Sequence, residues 1–109
     1  MSSEVYKVKL QLATGEQEVT SPDEHFGAVV CVFADNNTNS AETISSITDV
    51  SSGLNILGNA DLESISADTG TAQYEQTEMG GTAVAGKLKL TLSTVAGTGT
   101  FDAYVYIAP

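Results

Sequence analysis

Residues 83–108 read Ala83-Val84-Ala85-Gly86-Lys87-Leu88-Lys89-Leu90-Thr91-Leu92-Ser93-Thr94-Val95-Ala96-Gly97-Thr98-Gly99-Thr100-Phe101-Asp102-Ala103-Tyr104-Val105-Tyr106-Ile107-Ala108. Lys87, Lys89, Thr91 and Ser93 alternate with Leu88, Leu90, Leu92 and Thr94. Beyond the glycine-bearing stretch 95–99, a second alternation sets Phe101, Ala103, Val105 and Ile107 against Asp102, Tyr104 and Tyr106. A period of two is the signature of a strand with opposite faces in different surroundings. The stretch therefore predicts two strands joined by a tight reversal, a β-hairpin that closes an all-β domain.

The same alternation recurs at the other end of the chain, where Tyr6, Val8, Leu10 and Leu12 interleave with Lys7, Lys9 and Gln11. Ala13-Thr14-Gly15-Glu16 turns this strand into a short return over 17–20. Ser21-Pro22-Asp23-Glu24 is a second turn, in which Pro22 presets φ and Asp23 bonds its own backbone. Residues 26–34 are apolar on both faces and predict a central strand covered on both sides, with Gly27 at its start where a bulge or a close approach is tolerated. Asp35-Asn36-Asn37-Thr38-Asn39-Ser40 is a loop by composition. Ala41, Ile44, Ile47 and Val50 then recur every three residues, as in a helix capped by Ser40, but Thr43, Ser45, Ser46 and Thr48 are indifferent helix formers, so a bulged strand is the preferred reading. Short strands follow at 54–57, 62–65 and 72–78, the last anchored by Tyr74. About eight short strands with turn signals roughly every eight to twelve residues define the fold class: all-β, a single antiparallel β-sandwich or jelly-roll domain over residues 1–109.

A chain of 109 residues buries roughly two thirds of its unfolded surface, enough for one core. Charged residues make up only 17% of it, with Ser, Thr, Gly and Asn filling the difference, a composition that suits strands joined by polar turns. Fourteen acids stand against four lysines and no arginine, for a net charge of -10. Binding to a phosphate backbone needs a basic footprint to release counterions, so no nucleic-acid partner is expected. An anionic membrane surface is disfavoured for the same reason, and no apolar run approaches the ~20 residues of a spanning helix. Met1-Ser2-Ser3-Glu4-Val5-Tyr6 has neither the basic flank nor the apolar run of a signal peptide, so synthesis in a cytoplasm is expected. The single cysteine, Cys31, sits in the apolar run Val29-Val30-Cys31-Val32-Phe33, where it reads as a buried structural thiol with no disulfide partner.

No reaction centre emerges. The one histidine, His25, follows Asp23 and Glu24, but neighbours on a turn do not converge on one metal, and the trio reads as a solvated turn. A serine or cysteine hydrolase would need a nucleophile elbow that the sequence lacks. Asp35, Asn37 and Asn39 imitate the opening of a calcium loop, yet the sixth position is Ser40 where Gly is wanted and the twelfth is Ser46 where Glu is required. No catalytic residue, metal or other cofactor is therefore expected. The informative residues are the lysines, which fall in two Lys-x-Lys pairs on strands. If Leu92 faces Phe101 in the closing hairpin, Lys89 meets Tyr104 and Lys87 meets Tyr106, with the lysine stems along the tyrosine rings. Should the strand of Lys7 and Lys9 lie beside it, all four charges gather on one face. Lys7, Lys9, Lys87, Lys89, Tyr104 and Tyr106 are thus the candidate partner-contact residues, with two ordinary wet strand faces as the alternative.

Gly80-Gly81-Thr82-Ala83-Val84-Ala85-Gly86-Lys87-Leu88-Lys89-Leu90-Thr91-Leu92, followed by Gly97-Thr98-Gly99-Thr100-Phe101-Asp102-Ala103-Tyr104-Val105-Tyr106, resembles the closing hairpin of small virion structural proteins of tailed bacteriophages, nearest to capsid decoration, or cement, proteins. The resemblance implies a sandwich or jelly roll, often trimeric, that sits on the outer capsid surface, binds the major capsid protein and its own copies, and staples capsomers against internal pressure. It carries no family binding residues onto this chain. The alternatives from the residues themselves are a small carbohydrate-binding or adhesion module and a tail or baseplate accessory subunit.

Overall fold

The computed structural model describes residues 4–57, 65–67, 70–72 and 83–109. Its elements are strands: β1 (Tyr6–Ala13), β2 (Glu18–Thr20), β3 (His25–Thr38), β4 (Glu42–Asp49), β5 (Leu54–Asn55), β6 (Ile65–Ala67), β7 (Gly70–Ala72), β8 (Ala83–Gly86), β9 (Leu88–Leu92) and β10 (Gly99–Ala108). They form two sheets whose strand pairs are antiparallel. In sheet A the order is β1-β10-β3, with β8 beside the start of β3 and β7 beside its far half. In sheet B the order is β2-β9-β4, with β5 and β6 sharing the outer side of β4 in the same way. Counting each shared side as one lane leaves eight lanes, first with last, second with seventh, third with sixth and fourth with fifth. That is the wiring of a jelly roll, a long hairpin rolled into a sandwich, so the expected fold class holds. The strand expected over 72–78, with its anchor Tyr74, lies beyond Ala72 outside the described residues, as does most of that expected over 62–65.

This wiring corrects the closing hairpin. β9 pairs with β2 and β4, while β10 pairs with β1 and β3, so the two consecutive strands lie in opposite sheets and the pairing of Lys89 with Tyr104 does not occur. Residues 93–98 cross from one sheet to the other. Ala96 is buried in that crossover and is stitched to the turn after β1, its N–H donating to Glu16 O at 2.8 Å and its carbonyl accepting from Gly15 N at 2.9 Å.

The core lies between the sheets. Sheet A contributes Val8, Leu10 and Leu12 from β1, Val29, Val32 and Ala34 from β3, and Phe101, Ala103, Val105 and Ile107 from β10. Sheet B answers with Ile44, Ile47, Leu88, Leu90 and Leu92, and Ile56 and Leu57 fill the end beyond β5. Each of the larger of these side chains contributes roughly 1.5–3 kcal/mol by leaving water. Two bulges set the odd spacings. The register slips at Ser45, where Ile44 faces Leu92 and Ser46 faces Thr91, so Ile44 and Ile47 both point inward three residues apart. The bulged strand is therefore the correct reading of 41–50. A second slip at Val30 brings Val29 and Val32 onto the same inner face.

β3 corrects two further expectations. It runs on through Thr38, so most of the supposed 35–40 loop is strand. It is central in its sheet but covered on one face only: Phe26 is 58% exposed and Val30 is 39% exposed. Cys31 accordingly sits half-buried on the outer face opposite Tyr106, not in the core.

Candidate functional site

β10 aims its tyrosines outward because Ala103, Val105 and Ile107 take the inner positions. Across from it, β3 places Cys31 opposite Tyr106 and Phe33 opposite Tyr104, and on the other side β1 places Lys7 opposite Tyr106 and Lys9 opposite Tyr104. The Phe33 and Tyr106 rings meet edge to face with centroids 5.4 Å apart. Lower on the same face, Ala28 pairs with Ala108 and Phe26 with Ala85, adding the exposed ring of Phe26 beside small side chains. The outer face of sheet A is thus a broad apolar and aromatic surface, flanked by two lysines. At its upper end stand Asp35 and Asp102, in register with each other, and Gln11 opposite Asp102.

The outer face of sheet B is built of different residues. Its register rows join Glu18 to Thr91 to Ser46, and Thr20 to Lys89 to Thr48. It is a hydroxyl-rich, solvated surface, and its Lys89 makes a salt bridge to Glu18 at 3.3 Å, an exposed pair that contributes about 1 kcal/mol or less.

The candidate contact residues therefore divide. Lys7, Lys9, Tyr104 and Tyr106 are brought together on the outer face of sheet A, where Lys7 Nζ lies 4.9 Å from the centre of the Tyr104 ring. The expected stacking of Lys89 on Tyr104 and Lys87 on Tyr106 is absent, and Lys7 of β1 lies over the Tyr104 ring along the diagonal of the ladder instead. Lys89 lies in β9 of sheet B and Lys87 in the one-residue link between β8 of sheet A and β9, outside any strand, so the four charges do not share one face. Phe26, Val30 and Phe33 were not among the expected contacts. Their signal was the two-sided apolarity of 26–34, read as double burial when it marks one core face and one exposed face.

His25, Asn39 and Glu42 occupy structural places. His25 stacks on Tyr6 with ring centroids 5.8 Å apart. Asn39 Oδ1 accepts the Thr98 N–H at 3.0 Å, pinning the crossover to the end of β3. Glu42, buried between the sheets, accepts from Ser40 Oγ at 2.9 Å and Gly97 N at 2.8 Å. Among the described residues no three of His, Cys, Asp and Glu come together as a metal site, and no helix is long and apolar enough to cross a membrane.

These features define a class: a jelly-roll domain with one hydrophilic outer face and one aromatic outer face. Comparison with models of known protein families and with curated proteins finds no match for the chain.

Proposed function

We propose that the protein is a non-enzymatic structural protein of a virus particle, a capsid decoration protein of a tailed phage, which docks through the outer face of sheet A onto the major capsid protein and onto its own copies. The observation that carries this reading is the contrast between the two outer faces. A solvated domain has no need of Phe26, Val30, Phe33, Tyr104 and Tyr106 on one exposed sheet face while the other carries Thr, Ser, Glu and Lys. Exposed apolar surface of this kind, rimmed by charge, is the usual mark of a protein contact. The jelly roll supports the reading as a fold shared by many capsid proteins, although fold alone does not assign function. The net charge of -10 keeps the free protein soluble before docking, and Lys7 and Lys9 set two positive charges on one side of the face, with Asp35 and Asp102 at its upper end.

Sedimentation with tailed-phage heads lacking their decoration tests the proposal. The protein is expected to pellet with the heads and to raise the temperature at which they rupture, and a protein that stays in the supernatant contradicts it. The shared face of Tyr104 and Tyr106 also favours a second reading, glycan binding on a flat aromatic platform. Soluble oligosaccharides would then change tyrosine fluorescence, whereas docking on protein predicts no change.

A further inference from the structure

We propose that the outer face of sheet A binds a calcium ion between Asp35 and Asp102. The register of β3 and β10 sets these two residues directly opposite each other. Asp102 alternates with the inward-facing Phe101 and Ala103, and Asp35 with the inward-facing Ala34 and Asn36, so both carboxylates leave the same side of the sheet. Residues so placed have Cβ atoms roughly 4.5–5.5 Å apart, and like charges there are destabilising.

The second observation is independent of that spacing. Asp102 is only 6% exposed, and its Oδ1 is enclosed with no hydrogen-bond partner. A carboxylate oxygen removed from water without a donor is costly, and a native fold normally satisfies it with a donor, an ordered water or an ion. No lysine serves it: Lys9 stands opposite Tyr104, the residue opposite Asp102 on β1 is the neutral Gln11, and among the described residues the only salt bridge is Lys89 to Glu18 in the other sheet. The Asp35 carboxylate is steadied from its own strand, where Asn37 Nδ2 donates to Asp35 Oδ1 at 3.0 Å.

The donor set chooses the ion. Two carboxylates, the amide oxygen of Gln11 and water are all hard oxygen ligands, with no histidine or thiolate to favour zinc. Calcium accepts irregular oxygen shells with several waters, whereas magnesium demands a near-ideal octahedron. With only two charged ligands, affinity belongs at the weak end of protein calcium sites, about 10⁻⁴–10⁻³ M. The inference stands without the docking proposal and is tested on the protein alone.

Thermal unfolding of the wild-type protein is followed at constant ionic strength with calcium from zero to about 10 mM, alongside terbium luminescence excited through Tyr104, which lies two residues from Asp102 on the same face of β10. Calcium is expected to raise the midpoint by a few degrees, reversibly with EDTA, and to displace terbium. Asp102→Asn keeps the shape and removes the repulsion. It is expected to unfold at a higher temperature than the calcium-free wild type and to lose both the calcium response and the terbium signal. Asp35→Asn gives the same readout should the first variant not fold. A wild-type midpoint and terbium signal indifferent to calcium, or variants that respond as the wild type does, would overturn the proposal.

Discussion

Gly27 shows at the scale of one residue how tightly the free end of sheet A is closed. Its φ is 147°, and a Cβ there would meet the Ala108 carbonyl oxygen, with Ile107 Cγ2 at 2.8 Å and Pro109 Cα at 2.9 Å. Both the backbone conformation and the space belong to glycine. Gly27→Ala is therefore expected to lower the unfolding free energy by about 2 kcal/mol or more, read by urea denaturation, and an unchanged midpoint would refute the close approach. From the sequence, Gly27 marks a place where a bulge or a close approach is tolerated; the close approach is there, and the bulge itself lies at Val30. The reason is physical. A bulge is an extra residue between two ladder bonds, and any residue that tolerates solvent on one side can supply it.

Among the elements, β1 and β10 were legible because their inner positions are apolar, and the bulged β4 because Ile44 and Ile47 recur three residues apart between the buried Glu42 and Asp49. The far half of β3 was not. There the inner positions are Asn36 and Thr38, buried in a polar cluster in which Thr38 Oγ1 lies 2.6 Å from Asn36 Oδ1 and 3.2 Å from Glu42 Oε2. Polar residues satisfied in the interior break the apolar alternation without breaking the strand. Partner choice was equally hidden: the alternation in 88–92 and 99–108 announces strands, but a hairpin and a crossover share the same turn residues. The structure separates the two at Ala96, since a residue at a hairpin tip is exposed whereas one passing between sheets is buried. β4 is held at its lower end by Asp49, whose carboxylate accepts from Ser51 N, Ser52 Oγ and Ala85 N at 3.1–3.2 Å. Asp49→Ala removes the acceptor of these three part-buried hydrogen bonds and is expected to cost about 1–3 kcal/mol. In native-state hydrogen exchange the Ala85 amide should lose protection first, and retained protection there would contradict the assignment.

The whole molecule is a sandwich with unlike sides. Its core faces were readable from periodicity, but the aromatic outer face of sheet A emerges only when β1, β3 and β10 are set side by side, because Lys7, Phe33 and Tyr104 come from three separate stretches of chain. Replacing Tyr104 and Tyr106 by Ser, or the more exposed Phe26 and Val30 by Ser, removes docking surface while leaving the inner faces intact. The far-ultraviolet spectrum of either variant is expected to stay strand-like. Lys7→Gln with Lys9→Gln is expected to weaken association mainly at low salt, where exposed charges act over the longest range.

Copies of the protein are proposed to join through this face, and sedimentation equilibrium of the wild type and of the Tyr104→Ser, Tyr106→Ser variant over a tenfold range of concentration tests that contact. The predicted result is a wild-type mass that is a multiple of 11.3 kDa, a trimer for a decoration protein, and a variant that sediments as the monomer. A wild-type protein at 11.3 kDa throughout, or a variant that keeps the wild-type mass, would contradict it.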